Sequence, residues 1–334
     1  MNDIEHLFIN LALDQELNFI NYFSHFKKEF SKLKNDYHLA VKTIYIATND
    51  SIFLTNEQLR EFLTLINSII DSDLIEYSFE IGYQTLKNEQ LELLKRFKIN
   101  RLIWKIRTFN NNLLKGVNQS FNANEILSLI NTSLELGFNN FSCDFEDNLK
   151  SQTERDIIND LNIAWSLNAP HISYQSHNDV HNLNNKKLIN NFLSKYHYNN
   201  YEFFSFALSN NYYSQQTLAY LQLKNWYGLG PNAGSFFIIK DKIMTINNTN
   251  EINWKKIKQT LNKNQYYQLL IIQGLMLKTG LVLENDNLLA FNSFSKILNK
   301  LIKANKLIIE NNALQATNQG WNLLNDILLA IINV

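Results

Sequence analysis

Short apolar strands alternate with amphipathic helices through the first half of this 334-residue chain. The strand segments are rich in β-branched and aromatic residues, whereas Leu and Ile recur three and four residues apart in the segments between them. The predicted strands are HLFINL (6–11), TIYIAT (43–48), YSFEI (77–81), RLIWKI (101–106), FSCDF (141–145) and HISYQS (171–176), and the clearest helices are 56–70, 89–97 and 123–137. This order predicts a parallel sheet with crossover helices.

About six such units indicate an α/β fold and suit a partial or a complete TIM-like barrel, of which the partial (β/α)6 form is predicted. Functional side chains of such sheets lie at the carboxyl ends of the strands. The candidate segments are therefore 12–21, 47–52, 80–84, 107–109, 144–149 and 174–177.

The alternation ends near residue 180, which predicts three parts. Residues 1–180 form the barrel, and residues 181–250 extend it with one more strand at 201–208 and a β-hairpin in GSFFIIKDKIMTI (234–246). Residues 251–334 are predicted to be mainly helical, with helices at 266–280 and 294–309, a short turn and a last helix from about Asn318. Helices combined with two short strands are typical of a winged-helix-like module.

The charge balance and the single cysteine limit the possible partners and compartments. Lys plus Arg and Asp plus Glu are equal at 31 each, so nucleic acid is not expected as the main partner. Cys143 is the one cysteine, which fits a reducing compartment. The start lacks the pattern of a secretion signal and no transmembrane run is found, so the expected location is the cytoplasm.

Three short polar residues follow the first predicted strand at a regular spacing. In LFINLALDQELNFINYF (7–23), Asp14, Asn18 and Asn21 lie four and three residues apart. This spacing fits one face of a helix, or a ligand loop whose ligands have been replaced.

From about residue 6 to the C-terminus, the chain resembles the family of the heme chaperone HemW and oxygen-independent coproporphyrinogen III oxidase, within the radical S-adenosylmethionine proteins. In this resemblance the three cysteines that bind the family's 4Fe-4S cluster fall on Asp14, Asn18 and Asn21. Such clusters need thiolate ligands. The resemblance therefore implies a degenerate member that has lost its cluster and is not an enzyme, a pseudoenzyme.

Other segments that carry the resemblance have also lost residues that the family has at these positions. In TIYIATNDSIFLTNEQL (43–59), the family's glycine run has become Ala47-Thr48-Asn49. In RLIWKIRTFNNNLLK (101–115), Arg107 stands where the family has Gln, and Gln119 replaces an arginine farther along the chain. The resemblance assigns Arg107 to a vestigial S-adenosylmethionine pocket.

Two acidic residues match positions of the same cofactor pocket. The resemblance places Glu80 of YSFEIGYQTL and Asp144 of NFSCDFEDNLKSQT in that pocket, although both residues could also be kept for packing or hydrogen bonding. Gln216 stands at the former heme-motif position, where a histidine is expected. YGLGPNAGSF (227–236) gives the best local match, and it indicates fold more strongly than activity.

The leading hypothesis is a HemW-like protein without bound cofactors, which retains a barrel mouth able to bind heme, another tetrapyrrole or a protein partner. The alternatives are an active radical S-adenosylmethionine or heme-trafficking protein with unusual cluster ligands, and a scaffold that binds proteins alone.

Other motifs favour structural roles. His177 and His181 have a spacing that suits a metal on a helix, but no third ligand is evident and a solvated pair is favoured. GLGPNAG (228–234) is expected to be a turn and not a phosphate site. Cys143 is expected to be a buried thiol on the face opposite Asp144. The aromatic pairs Tyr212-Tyr213, Trp226-Tyr227 and Tyr266-Tyr267 are interpreted as core, with stacking on a flat ligand as the alternative.

Overall fold

The structure is a computed structural model that describes residues 3–11, 19–48, 54–70, 73–82, 86–117, 122–176, 182–239, 242–251 and 253–333. Its largest element is a twelve-stranded mixed sheet. The strands of this sheet are β1 (Asp3–Leu11), β2 (His38–Thr48), β3 (Glu76–Ile81), β4 (Arg101–Arg107), β5 (Phe141–Asp147), β6 (His171–Ser176), β7 (Asn199–Asn200), β8 (Ser205–Ala207), β9 (Trp226–Leu229), β10 (Gly234–Ile239), β11 (Lys242–Asn248) and β12 (Lys256–Leu261).

Strands β1 to β6 are parallel and lie in sequence order at the centre of the sheet. All six strands predicted from the sequence are therefore present, and the α/β fold class with a partial barrel is confirmed. Strand β9 extends the sheet beside β1, and the antiparallel strands β8 and β7 extend it beside β6. The predicted hairpin is formed by β10 and β11.

Helices connect these strands, and most of them cover the outer face of the sheet. They are α1 (Phe19–Asp36), α2 (Asn56–Asn67), α3 (Asn88–Arg96), α4 (Asn111–Gly116), α5 (Ala123–Glu135), α6 (Glu154–Ser166), α7 (Leu183–Lys195) and α8 (Gln215–Leu221). The outer face is apolar because alternate strand residues, such as Leu102 and Ile172, are fully buried beneath the helices.

Helices α3, α5, α6 and α7 end in the same kind of turn. Each has a residue with positive φ just after its C-cap, namely Lys98, Gly137, Asn168 and His197. The next N–H then donates to a carbonyl five residues earlier, as from Ile99 to Leu94 at 3.1 Å and from Phe138 to Ser133 at 3.0 Å. These turns bury an apolar residue just before the next strand, which fixes where that strand begins.

The C-terminal part packs around a small antiparallel sheet of its own. Its elements are α9 (Lys263–Met276), β13 (Leu281–Val282), α10 (Asn285–Ser293), α11 (Ser295–Lys303), β14 (Leu307–Glu310), β15 (Ala313–Ala316), α12 (Asn318–Asn322) and α13 (Leu324–Ile332). The sheet order is β13-β15-β14. Leu298, Leu314 and Leu324 lie in its hydrophobic cluster, which is separate from the cluster beneath the parallel strands.

One helix of this part is shorter than the sequence pattern predicts. The segment 294–309 was expected to be helical throughout, but α11 ends at Lys303 and the chain enters β14 at Leu307. The reason is Asn305, whose φ of 54° allows the N–H of Lys306 to bond the carbonyl of Leu301 at 2.9 Å. In the described part of the chain, no helix combines the length and apolar character needed to cross a membrane.

Candidate functional site

The inner face of the parallel strands carries polar and charged side chains where the outer face carries apolar ones. Near the carboxyl ends, Tyr45 of β2, Glu80 of β3, Lys105 of β4 and Asp144 of β5 alternate with residues of the outer cluster. Lys105 and Asp144 are Cα partners in adjacent strands. These four side chains form the site called here the barrel mouth.

Glu80 is held by its two neighbouring strands, β2 and β4. The Tyr45 hydroxyl donates to its Oε2 at 2.8 Å, and the Thr48 backbone N–H donates to its Oε1 at 3.2 Å. Lys105 Nζ lies 3.5 Å from the same Oε1. Burial raises the pKa of Glu80, and the Asp144 charge adds to this effect, whereas Lys105 and the two donors oppose it. The carboxyl group therefore accepts a proton more readily than a solvated glutamate.

Asp144 begins a chain of hydrogen bonds that runs along the inner face. The Ser142 hydroxyl donates to Asp144 Oδ1, and Ser142 Oγ lies 2.8 Å from His171 Nδ1. His171 Nε2 lies 2.9 Å from the Tyr201 hydroxyl. Because the Ser142 hydroxyl donates its hydrogen bond to Asp144, its oxygen accepts a hydrogen bond from the Nδ1–H of His171. The Nε2 of His171 then carries no proton and accepts a hydrogen bond from the Tyr201 hydroxyl.

The charge states of this chain follow from its burial. Burial holds the pKa of His171 well below its usual value, and the nearby Arg101 charge lowers it further, so the imidazole is neutral. Burial raises the pKa of Asp144, while the Ser142 hydrogen bond and the charges of Lys105 and Arg101 oppose that rise. The arrangement orients an acid that can hold or release a proton at the barrel mouth.

Arg107 lies at the rim beside the barrel mouth. Its Nε is 3.3 Å from Glu146 Oε1 on β5, and its φ is 62°. The N–H of Thr108 donates to the carbonyl of Ile106 at 2.8 Å, which closes a three-residue turn around Arg107. Left-handed backbone is uncommon for a residue other than Gly or Asn and is concentrated at functional sites. The three residues predicted for the cofactor pocket, Glu80, Asp144 and Arg107, thus lie on consecutive strands at one end of the sheet.

Several sequence predictions fall on residues whose structure is not described. Asp14, Asn18, Gln119, His177 and His181 lie outside the described residues. Asn21 lies in α1, where its side chain is exposed.

Gln216 lies in the interior at the opposite end of the sheet from the barrel mouth. It is buried, and its Oε1 accepts a hydrogen bond from Thr43, whose hydroxyl also lies 2.9 Å from His6 Nδ1. The N–H of the preceding residue, Gln215, donates to Glu76 Oε2 at 2.8 Å. The start of α8 therefore covers the amino-terminal ends of β2 and β3. Gln216 in this place holds the helix against the sheet.

Cys143 lies on the outer face of β5, fully buried, while its neighbour Asp144 faces inward. Burial raises the pKa of its thiol, so the thiolate is disfavoured. The GLGPNAG segment packs backbone against backbone, since a Cβ on Gly230, whose φ is 99°, would lie 2.1 Å from the carbonyl oxygen of Asn10. Tyr213 stacks on Tyr201 at 4.1 Å between ring centroids, and Trp226 stacks on Phe236 at 5.1 Å.

Comparison with known proteins shows what this chain is similar to. Heme chaperone HemW of Lactococcus lactis is 23% identical over 321 residues, which cover 86% of this chain and 83% of that protein. Heme chaperone HemW of Bacillus subtilis is 32% identical over 138 residues, 41% of this chain and 36% of that protein. These similarities support the HemW/HemN-like radical S-adenosylmethionine family for this chain. No protein-family model matches the sequence.

The fold of this chain is similar to a solved structure over nearly its whole length. The solved structure of Escherichia coli coproporphyrinogen III oxidase (HemN), a radical SAM enzyme, superposes with a TM-score of 0.80 at 17% identity and covers 98% of this chain and 90% of that one. The HemN-like fold therefore includes the C-terminal part as well as the parallel sheet.

Sequence reasoning missed four residues of the site: Tyr45, Lys105, Ser142 and His171. Each lies within a predicted strand, before its last residue. Counting every second residue back from Glu80, Arg107 and Asp144 gives the inner face of each strand, and this parity would have identified Lys105 and Ser142.

Proposed function

We propose that this chain is a HemW-like protein that binds heme or a related tetrapyrrole in the cytoplasm without performing radical chemistry. The single observation that carries the proposal is the position of its one cysteine. Cys143 is fully buried on the outer face of β5, behind the strand from the barrel mouth. A 4Fe-4S cluster is bound by Cys thiolates. The one cysteine of this chain therefore does not provide the thiolate ligands that such a cluster needs.

The remaining site residues are assigned within this proposal. Glu80, Asp144 and Arg107 represent the vestigial S-adenosylmethionine pocket, while Asp14, Asn18 and Asn21 stand at the former cluster positions. Thr48 supports the assignment, because its N–H and its hydroxyl bond the side chain and the backbone carbonyl of Glu80, at 3.2 and 3.0 Å. A side chain thus lies against Glu80 where the family has glycine.

We further assign residues 1–180 to the barrel, 181–250 to its extension and 251–334 to the C-terminal module. The relatives named as heme chaperones support heme as the cargo. Lys105, whose side chain is 36% exposed, offers a positive charge at the barrel mouth for a carboxylate of the tetrapyrrole.

Iron and sulfide analysis after anaerobic cluster reconstitution tests the loss of radical chemistry. We expect near-zero bound iron and no thiolate charge-transfer band, in the wild type and in Cys143→Ala alike. About four irons per chain, together with cleavage of S-adenosylmethionine, would overturn this part of the proposal. Substitution of Asp14, Asn18 and Asn21 by Ala would then locate the unusual ligands.

Heme titration of the folded chain, followed in the Soret region, tests the cargo. We expect a saturable shift at one equivalent, with affinity reduced by Lys105→Glu and unchanged by the control Lys115→Glu, an exposed position of α4. A folded chain without a saturable shift would contradict heme binding and favour the scaffold alternative.

A further inference from the structure

A second pocket lies on the other side of the sheet, between the ends of β5, β6 and β8 and the start of α7. Its wall includes Asp147, Tyr174 and Lys186, and its apolar part includes Phe203, Phe204 and Leu183. Tyr174 belongs to the hydrophobic cluster of the outer face, where its ring stacks on Phe145 at 5.3 Å. This pocket is therefore separate from the barrel mouth.

The pocket wall contains a buried hydroxyl group without a hydrogen-bond partner among the described residues. The Tyr174 side chain is 6% exposed, and within the described part of the chain its hydroxyl makes no hydrogen bond. A buried hydroxyl without a partner loses its hydration and gains nothing in return. Such a group in a pocket wall indicates a ligand whose oxygen or nitrogen atom accepts a hydrogen bond from the hydroxyl.

Lys186 supplies positive charge to the same pocket. Its Nζ donates to the backbone carbonyl of Trp321 at 2.8 Å and lies 3.4 Å from the centroid of the Phe203 ring. Burial and the nearby charge of Lys278 lower the pKa of Lys186 to about 7, although Asp147 and Glu202 oppose this shift. An anion beside the ammonium group would favour its charged form.

The first turn of α7 adds to this preference for an anion. Lys186 belongs to that turn, and Asn182 caps it by accepting N–H bonds from Asn184 and Asn185 at 3.0 and 3.4 Å. The positive end of a helix dipole lies at its N-terminus.

The size and walls of the pocket limit which anion can enter. The cavity volume is about 40 Å³, which is room for roughly three waters or one carboxylate group. Asp147 lies in the wall and repels each negative charge of a ligand, so a second negative charge adds to that cost. Leu183 is 41% exposed and Phe204 is partly exposed, so together they offer an apolar surface to the body of a ligand.

We propose that this pocket binds a small monocarboxylate, with the carboxylate between the Tyr174 hydroxyl and Lys186 Nζ and the apolar body against Leu183 and Phe204. The site lies outside the barrel mouth, so it is independent of the heme cargo and of any cluster.

Isothermal titration of the whole chain with sodium benzoate tests the proposal, with benzyl alcohol, benzylamine and inorganic phosphate as comparison compounds. We expect saturable binding of benzoate and none of the other three. Lys186→Met should weaken benzoate binding roughly tenfold or more, since a hydrogen bond to a charged group is lost. Lys187→Met, at the exposed neighbouring position, should leave binding unchanged.

Tyr174→Phe separates a binding role from a structural one. It should weaken benzoate binding about fivefold and raise the melting temperature of the ligand-free chain, because it removes a buried hydroxyl without a partner. A lower melting temperature with unchanged benzoate affinity would overturn the proposal. So would the absence of benzoate binding, or equal binding by wild type and Lys186→Met. If Lys186→Met does not fold, Lys186→Arg and Tyr174→Phe still provide the test.

Discussion

The inner and outer faces of the parallel sheet are formed by alternate residues of the same strands, yet their chemistry is opposite. The outer face is apolar: on β4 and β5 it presents Trp104 and Cys143, both buried beneath helices. The inner face presents Arg101, Lys105 and Asp144, which are held by hydrogen bonds and ion pairs. Burial on the outer face stabilises the fold, whereas polar groups on the inner face cost stability and are kept where a ligand can use them.

The largest effect is expected on the outer face. Trp104→Ala should lower the free energy of unfolding by about 4 kcal/mol, because a buried indole leaves a cavity between sheet and helices. Urea denaturation measures the change. Trp165→Ala serves as the control, since that indole is 46% exposed and its loss should cost less than about 1 kcal/mol. Equal losses in the two variants would contradict the assignment of the outer face as the main core.

The next largest effect is expected from the buried cation of the inner face. Arg101 is 1% exposed and donates to Asn140 Oδ1 and to the Tyr212 carbonyl, each at 2.9 Å. Arg101→Met should lower the free energy of unfolding by about 3 kcal/mol, because acceptors and nearby buried carboxyl groups lose their positive partner. Arg96→Met, which removes an exposed ion pair with Glu92, should cost less than about 0.5 kcal/mol. An unchanged free energy of unfolding in Arg101→Met would show that apolar packing can replace the hydrogen-bond network of the inner face.

Asp160 of α6 is an ionisable residue buried on the apolar side of the sheet, so its protonation should make stability depend on pH. Its Oδ1 accepts from the Phe109 N–H at 2.7 Å, and burial raises its pKa to about 7. The native state therefore binds a proton that the unfolded state releases near pH 4, so stability falls as pH rises from about 4 to 7.

Between pH 5 and 7 the wild type should lose roughly 2 kcal/mol more than Asp160→Asn. Denaturation at several pH values measures this difference. Asp156→Asn is the control, because the pKa of Asp156 is lowered and its titration lies below this range. The same slope in wild type and Asp160→Asn would contradict the buried, protonated state of Asp160.

The smallest effect is expected at the barrel mouth. Lys105→Met removes the cation 3.5 Å from Glu80, which raises the pKa of Glu80 further. Because Lys105 is partly solvated, the loss of stability at pH 7 should stay below about 1 kcal/mol. The loss should disappear at acidic pH, where Glu80 is protonated with or without Lys105. Lys115→Met should show no such pH dependence, and a pH-independent loss in Lys105→Met would indicate lost packing in place of lost charge.

Strand positions were predictable because two local signals coincide. Apolar runs such as RLIWKI mark the strands, and the turns after α3, α5, α6 and α7 fix where the next strand starts. Asn305 shows the limit of this reasoning: in a chain with many Asn residues, one helix-ending Asn has no distinctive neighbours, and the segment 294–309 was wrongly predicted as one helix.

The site was predictable at strand ends and not within strands. Glu80, Asp144 and Arg107 lie at carboxyl ends and were identified, whereas His171 begins its strand and reaches Asp144 through Ser142. Gln216 bonds Thr43, a residue 173 positions earlier in the chain. Contacts between residues so far apart in the sequence depend on the tertiary arrangement of the sheet, which no local sequence pattern predicts.

Residue order and residue identity are enough to predict the alternation of strands and helices and the family resemblance, and they show that the chain has one cysteine. Which face of a strand each side chain occupies depends on the folded structure. It placed Cys143 behind the strand that carries Asp144, and it brought Tyr174 and Lys186 to one pocket. Burial and long-range contact set the charge and the availability of these groups, and both exist only after the chain has folded.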